Sequence, residues 1–354
     1  MVLPFARLNA VFASLSSRLS LDDGVSVEVL QPEEVVDVRP VAMLAGQAER
    51  ATGTNRHSKL QDHLDAVVAR QLHHAPVLRK RARNVLIGPH GMASAHIKIQ
   101  YDRRLWLGAL AGHVAHVPKV RYCQDYVSWR YFGHWLTDAM LSSLIDGAES
   151  GELWMPYRPE WHHCEEYRKI FGLSLLEPRY IWAEEVVFYQ DFGQGSHKRQ
   201  RYAQLREALH TRFGGRSKAE LVYLRRGNTG AARTVRDEDR LVETITGKGW
   251  LVLDIASASV GQLQEALCGA RIVVSVEGSH LDHAHLSLRT GGAMIVLNPH
   301  DSFNSRNMMI CPTNGIRAGC VVLNGAEGGG YELDWDEVER TIDLIERDAI
   351  ALPH

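Results

Sequence analysis

In the second half of the chain the apolar positions form short unbroken runs separated by amphipathic stretches. Leu251-Val-Leu before Asp254 and Ile272-Val-Val before Ser275 show no polar alternation, as strands buried on both faces require. Between the runs, apolar residues recur at helical spacing. The sequence therefore predicts strand 221–226, helix 236–247, strand 250–255, helix 259–269, strand 271–276, helix 281–289 and strand 293–298. Strand-helix units repeated at this length build a parallel sheet covered on both faces. A last amphipathic helix is expected over 334–352, after a Gly328-Gly-Gly330 turn.

The first half is less regular. Strands are expected at 26–30, 84–87, 95–100, 152–155 and 185–189, and helices over 133–147, 161–171 and 196–213. Gly193-Gln-Gly195 and Gly214-Gly215 are the two loop-like hinges, and the second is favoured. Two α/β domains result, 1–215 and 216–354.

The helix over 133–147 opens on Tyr131-Phe-Gly133-His134-Trp135-Leu136-Thr-Asp138. This sets an imidazole and a carboxylate at i and i+4, on one helix face. Ala139, Met140, Leu141, Leu144 and Ile145 continue the helical spacing, so Gly133-His134 stands at the helix entrance. The positive end of the helix dipole disfavours imidazolium, whereas a hydrogen-bonded Asp138 favours it. Such a pair suits proton transfer near neutrality. The same spacing equally fits a core helix with a satisfied histidine.

Open parallel sheets bind ligands at the carboxyl ends of their strands. Arg225-Arg226 and the Glu277-Gly278-Ser279-His280 turn both fall at such ends. A diphosphate there would meet guanidinium groups, which match phosphate oxygens in bidentate geometry, and the free N–H groups opening helix 281–289. Successive strand side chains point to opposite faces, so Arg225 and Arg226 do not both aim at one phosphate. Arg226, next to the loop, is the expected ligand, with Arg233 as a second cation and Arg225 as an ion-pair partner. Glu277 beside phosphates suits hydrogen bonds to ribose or sugar hydroxyls, orientation of His280, or stabilisation of the next helix.

These elements resemble the bacterial branch of glycosyltransferase family 61. That family carries a His-Trp-Leu helix in its N-terminal half, a strand ending in Ser-Arg or Arg-Arg, then a later Arg and an Asn-Glu pair. A strand leading to a His-Gly-Ala-x-Leu-Thr-Asn turn comes last. Here His134-Trp135-Leu136, Arg225-Arg226, Arg233 and Glu238 match, with Asp237 where Asn is common. The last motif reads Glu277-Gly278-Ser279-His280-Leu281-Asp282-His283.

The resemblance runs over about residues 120 to 300. It implies two Rossmann-like domains facing across a cleft, the GT-B architecture, and an inverting, metal-independent transfer from a nucleotide-sugar donor to a glycan or lipid-linked glycan acceptor. The C-terminal domain would hold the donor through Arg225, Arg226, Arg233, Gly278, Ser279 and His280. The N-terminal domain would present the acceptor. His134 assisted by Asp138 is then the expected base, Asp138 acting directly the second choice, and Glu277 the next. Capsule, lipopolysaccharide or other surface polysaccharide assembly is the implied setting. The competing readings are a nucleotide-sugar epimerase or hydrolase on the same scaffold and a non-catalytic glycan-binding protein.

Composition narrows the picture further. A net charge of −2 over 354 residues gives no global attraction to nucleic acid. Five cysteines form no CxxC pair and no even framework, which suits a reducing cytoplasm. No cofactor or metal is expected: His283 and His285 are two apart and face different ways on a helix, and Asp237-Glu-Asp239 and Asp334-Trp-Asp336 each open a helix. Neither a Gly-x-Gly-x-x-Gly fingerprint nor a Walker loop is present. The longest apolar stretch, 105–117, is too short to span a bilayer. Residues 1–21 read as an amphipathic helix that docks on the protein or touches the inner face of the membrane.

Overall fold

The computed structural model describes residues 24–55, 58–101, 109, 114–145, 151–177, 180–227 and 233–350. The amphipathic helix expected over 1–21 lies outside them. The chain divides into two compact units, Met1–Glu34 with His74–Gly193, and Val35–His73 with Gln194–His354. The division falls at the first glycine hinge, not near 215, and residues 35–73 join the second unit.

The first unit is built on a seven-stranded sheet. Its strands are β1 (Val25–Gln31), β2 (Val77–Gly88), β3 (Gly91–Ala93), β4 (Lys98–Gln100), β5 (Ala115–Tyr122), β6 (Glu152–Trp154) and β7 (Ile181–Gln190). The order is β4-β3-β2-β7-β5-β6, with β1 on β2. Only β5 runs parallel to its neighbours β6 and β7; the remaining pairs are antiparallel. This mixed sheet departs from the parallel sheet of a Rossmann-like domain, because tight connections such as the two residues between β2 and β3 reverse the chain. Pro118 sits inside β5, where β5 pairs with β7 alone, since its pairing to β6 begins at Val120. A residue without an N–H is tolerated at such an open side.

The second unit follows the alternation expected from the sequence. Strands β8 (Leu221–Arg225), β9 (Leu251–Asp254), β10 (Ile272–Val276), β11 (Ala293–Pro299), β12 (Arg317–Gly325) and β13 (Tyr331–Glu332) lie in the order β9-β8-β10-β11-β12-β13. The first five are parallel, and β13 closes the edge antiparallel. Alternate residues face opposite cores. Val222, Leu224, Val273, Met294 and Val296 pack with Leu263 and Leu267 of helix Val260–Gly269 and Ala284 of helix Asp282–Ser287. Tyr223, Val274, Val276 and Ile295 pack with Ile245 of helix Glu238–Gly247 and with Trp335, Val338 and Ile345 of helix Trp335–Ile350. Helices thus cover both faces, and the carboxyl ends of β8, β10, β11 and β12 share one sheet edge.

Candidate functional site

At that edge the two adjacent arginines part company. Arg225 turns to Glu238 (3.3 Å) and Asp239 (2.6 Å), while Tyr223 Oη donates to the other oxygen of Glu238 at 2.7 Å. Arg226 is buried, and its Nη1 donates to the main-chain oxygen of Glu277 at 2.6 Å. Arg233 Nη1 donates to the same oxygen, also at 2.6 Å. Two guanidinium groups therefore converge on one neutral carbonyl. Burial, then the Arg233 charge, push the Arg226 pKa down to about 10, which leaves it charged at neutral pH.

The Glu277 side chain goes elsewhere. Its carboxylate is buried and accepts from Asn307 Nδ2 at 2.9 Å. Burial raises its pKa, and the Asn307 hydrogen bond and Arg233 oppose the rise. It does not orient His280. That role falls to Ser275, whose Oγ donates to Leu224 O at 2.5 Å and lies 2.6 Å from His280 Nε2. With the single hydroxyl proton given to a carbonyl, Oγ accepts from Nε2–H, which fixes the imidazole tautomer.

Gly278 stands in the tightest part of the turn. A Cβ there would lie 3.0 Å from both Arg226 Nη1 and His280 Nδ1, so the absence of a side chain lets the two groups approach. The helix that follows is shorter than expected: a tight turn over Ser279–Leu281 precedes helix Asp282–Ser287, six residues in place of the predicted 281–289. So short a helix adds little dipole, and anion binding here rests on the arginines.

Asp282 and His285 are fully buried, with both Asp282 oxygens 2.9 Å from Arg306 Nη1. Among the described residues no group of three or more His, Cys, Asp or Glu side chains is placed to hold a metal ion.

The buried imidazoles give the fold a pH dependence. Burial, followed by Arg226 and Arg233, lowers the His280 pKa to about 3, and burial followed by Arg306 lowers that of His285 to about 3. In the unfolded chain each protonates at a pH of about 6.5. Unfolding below that pH therefore takes up protons, and stability present above it is lost as pH falls toward 3, by at most about 1.4 kcal/mol per pH unit per histidine. Thermal unfolding between pH 7 and 4 should show Tm falling. His285→Asn should flatten that slope by one histidine's share; an unchanged slope would mean that His285 protonates in the fold.

A pocket of about 620 Å³ lies at the carboxyl ends of β11 and β12, lined by Thr234, Arg236, His300, Asp301, Gly325 and Tyr331 among others. Tyr331 Oη donates to Asp301 Oδ1 at 2.8 Å, and its ring meets His300 edge-on at 6.2 Å. Burial and the Asp301 hydrogen bond raise the Tyr331 pKa, and Thr234 of the pocket wall directly follows Arg233, so the pocket adjoins the arginine pair. Sequence reasoning missed these residues, although Pro299-His300-Asp301 follows an apolar strand just as Arg226 does. Gly328, Gly329 and Gly330, with φ of +83°, +102° and +81°, form the turn of its wall, a conformation open to glycine.

In the first unit Asp125 caps helix Tyr126–Arg130 through a reciprocal pair with Ser128. Tyr131 is extended, and the chain re-enters a helix at Phe132–His134. The next turn, Trp135–Ala139, is π-helical before the α-helix resumes over Met140–Ser143. From this turn Thr137 Oγ1 donates back to Gly133 O at 2.8 Å. Such bulges occur frequently at functional sites.

Trp135 and Leu136 fill the core on one side of this helix. His134 and Asp138 lie on its accessible side, with side chains 23% and 18% exposed and Nδ1 2.5 Å from Oδ2. A carboxylate only accepts, so Nδ1 carries the proton. In the neutral ring Nε2 then holds the lone pair, the arrangement a general base requires.

The family model described as Glycosyltransferase 61 matches residues 132–294. The matched segment contains His134, Asp138, Arg226, Arg233 and the Glu277–His280 turn, while His300, Asp301 and Tyr331 lie beyond it. No curated protein matches the chain.

Proposed function

The chain belongs to glycosyltransferase family 61 and is a glycosyltransferase; from that premise we propose that it moves a sugar from a nucleotide-sugar to a glycan or lipid-linked glycan acceptor, with inversion and without a metal ion. The observation that carries this reading is the convergence of Arg226 and Arg233 on the Glu277 carbonyl. A diphosphate oxygen, being charged, is a better acceptor for both guanidinium groups than a neutral carbonyl. The adjoining pocket offers the rings of His300 and Tyr331 and the carboxylate of Asp301 to a nucleoside.

In the proposed step the acceptor hydroxyl gives its proton to His134 Nε2, with Asp138 holding the ring. The acceptor oxygen bonds to the anomeric carbon from the side opposite the leaving group. The bond from that carbon to the phosphate oxygen breaks, and its electron pair leaves with the diphosphate. Arg226 and Arg233 stabilise the charge that develops. Gly278, Ser279 and His280 shape the turn beside them. Buried and hydrogen-bonded, Glu277 ranks after Asp138 as a base.

The GT-B division of labour belongs to this proposal, with the donor on the second unit's parallel sheet and the acceptor on the first unit. So do a cytoplasmic location at the inner face of the membrane, contact there through residues 1–21, and a role in capsule, lipopolysaccharide or related surface polysaccharide assembly. No described helix is long and apolar enough to cross a membrane.

Nucleoside diphosphate release from a panel of nucleotide-sugars tests the reading. Release should depend on an added acceptor and should persist in EDTA. Consumption of donor without acceptor would indicate an epimerase or hydrolase. No turnover with any donor would indicate a binding protein, and a strict need for manganese or magnesium would overturn the metal-independent mechanism.

A further inference from the structure

Three aromatic side chains lie open to solvent in the described residues: Tyr126, Tyr131 and Phe192, at 45%, 42% and 65% exposure. Every other described Phe, Tyr and Trp is at least half-buried. Tyr131 and Phe192 lie beside the His134–Asp138 pair, and Tyr126 is tied to Tyr131 through Arg130. The Tyr131 ring is 6.1 Å from the His134 imidazole, and Phe192 borders the same cleft as Asp138, Asp125 and Asp191. Val27, Val29, Val35 and Val68 are also exposed, but the exposed aromatic rings are grouped here, and apolar area left in water forgoes the stabilisation that burial brings, so such a group marks a contact surface.

Arg130 links two of the rings. Its guanidinium lies 5.9 Å from the Tyr126 ring centre and 5.7 Å from that of Tyr131, and Nη1 donates to Tyr126 Oη at 2.5 Å. Both tyrosines stand around it, and among the described residues no carboxylate pairs with it. An exposed guanidinium held on aromatic faces is pre-positioned and weakly hydrated, which suits it to bind an anion.

We propose that Tyr126, Tyr131 and Phe192 form the platform on which the acceptor saccharide lies, and that Arg130 selects an acceptor sugar bearing an anionic group, a carboxylate or a phosphate. A pyranose ring has an apolar C–H face that matches an aromatic ring, and hydroxyls at its edge that match the aspartates of the cleft. The proposal rests on the reading of His134–Asp138 as the acceptor-side base.

Ligand-observed NMR of the full chain without nucleotide tests it. The probes are methyl β-glucoside, methyl β-glucuronide and glucose 6-phosphate. Both anionic probes should bind more tightly than the glucoside, by about fivefold, the upper range for an exposed ion pair. A preference confined to one of them would identify the anion as carboxylate or phosphate.

Arg130→Gln should abolish the preference while retaining binding of the glucoside. Tyr131→Ala should weaken all three probes, and Tyr131→Phe should restore them. Equal binding of charged and neutral probes, binding unchanged by these surface substitutions, or no binding of any probe would overturn the proposal. Because no nucleotide is present, the outcome is independent of the donor site. A chain that binds these saccharides through Arg130 and Tyr131 yet turns over no nucleotide-sugar would instead refute the transferase step.

Discussion

Replacing His134 by Ala should lower the rate of sugar transfer by about 10²–10⁴, the usual contribution of general acid–base catalysis, and leave nucleotide affinity nearly unchanged. The imidazole is held by Asp138 at 2.5 Å with both side chains partly open to solvent, so its removal uncovers no core residue. The neighbouring anchors, Trp135 and Leu136, face the interior and keep the helix in place. Asp138→Asn divides the two remaining choices. If Asp138 only holds Nδ1–H, the loss should be smaller than for His134→Ala; if it is itself the base, the loss should be complete. Measuring transfer and nucleoside diphosphate affinity on the same preparations checks both. Normal transfer by both folded variants would reduce the pair to a helix contact and bring Glu277 forward.

Arg226→Ala should weaken nucleoside diphosphate binding by about 1.5–3 kcal/mol, the range for hydrogen bonds to charged groups. Arg233 continues to serve the Glu277 carbonyl in that variant, so the carbonyl keeps a donor and the turn keeps its fold. Lysine at 226 should restore binding only in part, because an ammonium lacks the planar fork. Arg225→Ala is the matched control. Its partners are Glu238 and the exposed Asp239, so it should change affinity little. Calorimetric titration with a nucleoside diphosphate reads all three. Equal affinity for wild type and folded Arg226→Ala would remove Arg226 from the site.

Much of the second unit was legible because its strands are apolar runs and its helices carry capping signals. Ser259 and Gln262, for example, form a capping box that opens helix Val260–Gly269. Helix Ser196–Phe213 has the limits expected of it. Strand β12 was not expected. Gly319 interrupts its run, and the packing favours a glycine there: a Cβ would lie 3.0–3.1 Å from Ile345 and Thr341 of the covering helix and from Ile295 of β11, so these side chains would have to give way.

Strand direction in the first unit was hidden for another reason. Periodicity reports which residues are buried but not which way a neighbour runs, so a mixed sheet and a parallel one can look alike. The π-helical turn after His134 is hidden too, because a helical repeat is read on the assumption that no extra residue intervenes. At the site, alternation along β8 was enough to separate Arg225 from Arg226. The Ser275–His280 hydrogen bond and the pocket at His300 depend on tertiary approach, which residue spacing does not record.

The atom on which Arg226 and Arg233 meet belongs to the backbone of residue 277, not to its side chain. Every amino acid supplies that oxygen. Evolution can therefore exchange the residue at this position without dismantling the arginine pair, provided the turn keeps its path. Here the position holds Glu, where the commoner form of the motif has His, and the carboxylate is tied to Asn307 instead. Gly278 has no such latitude, since its missing side chain is what the geometry uses. Sequence drift at 277 beside constancy at 278 is then the pattern expected of a contact made by the main chain, and a variable residue at the centre of such a site is no sign that the site has decayed.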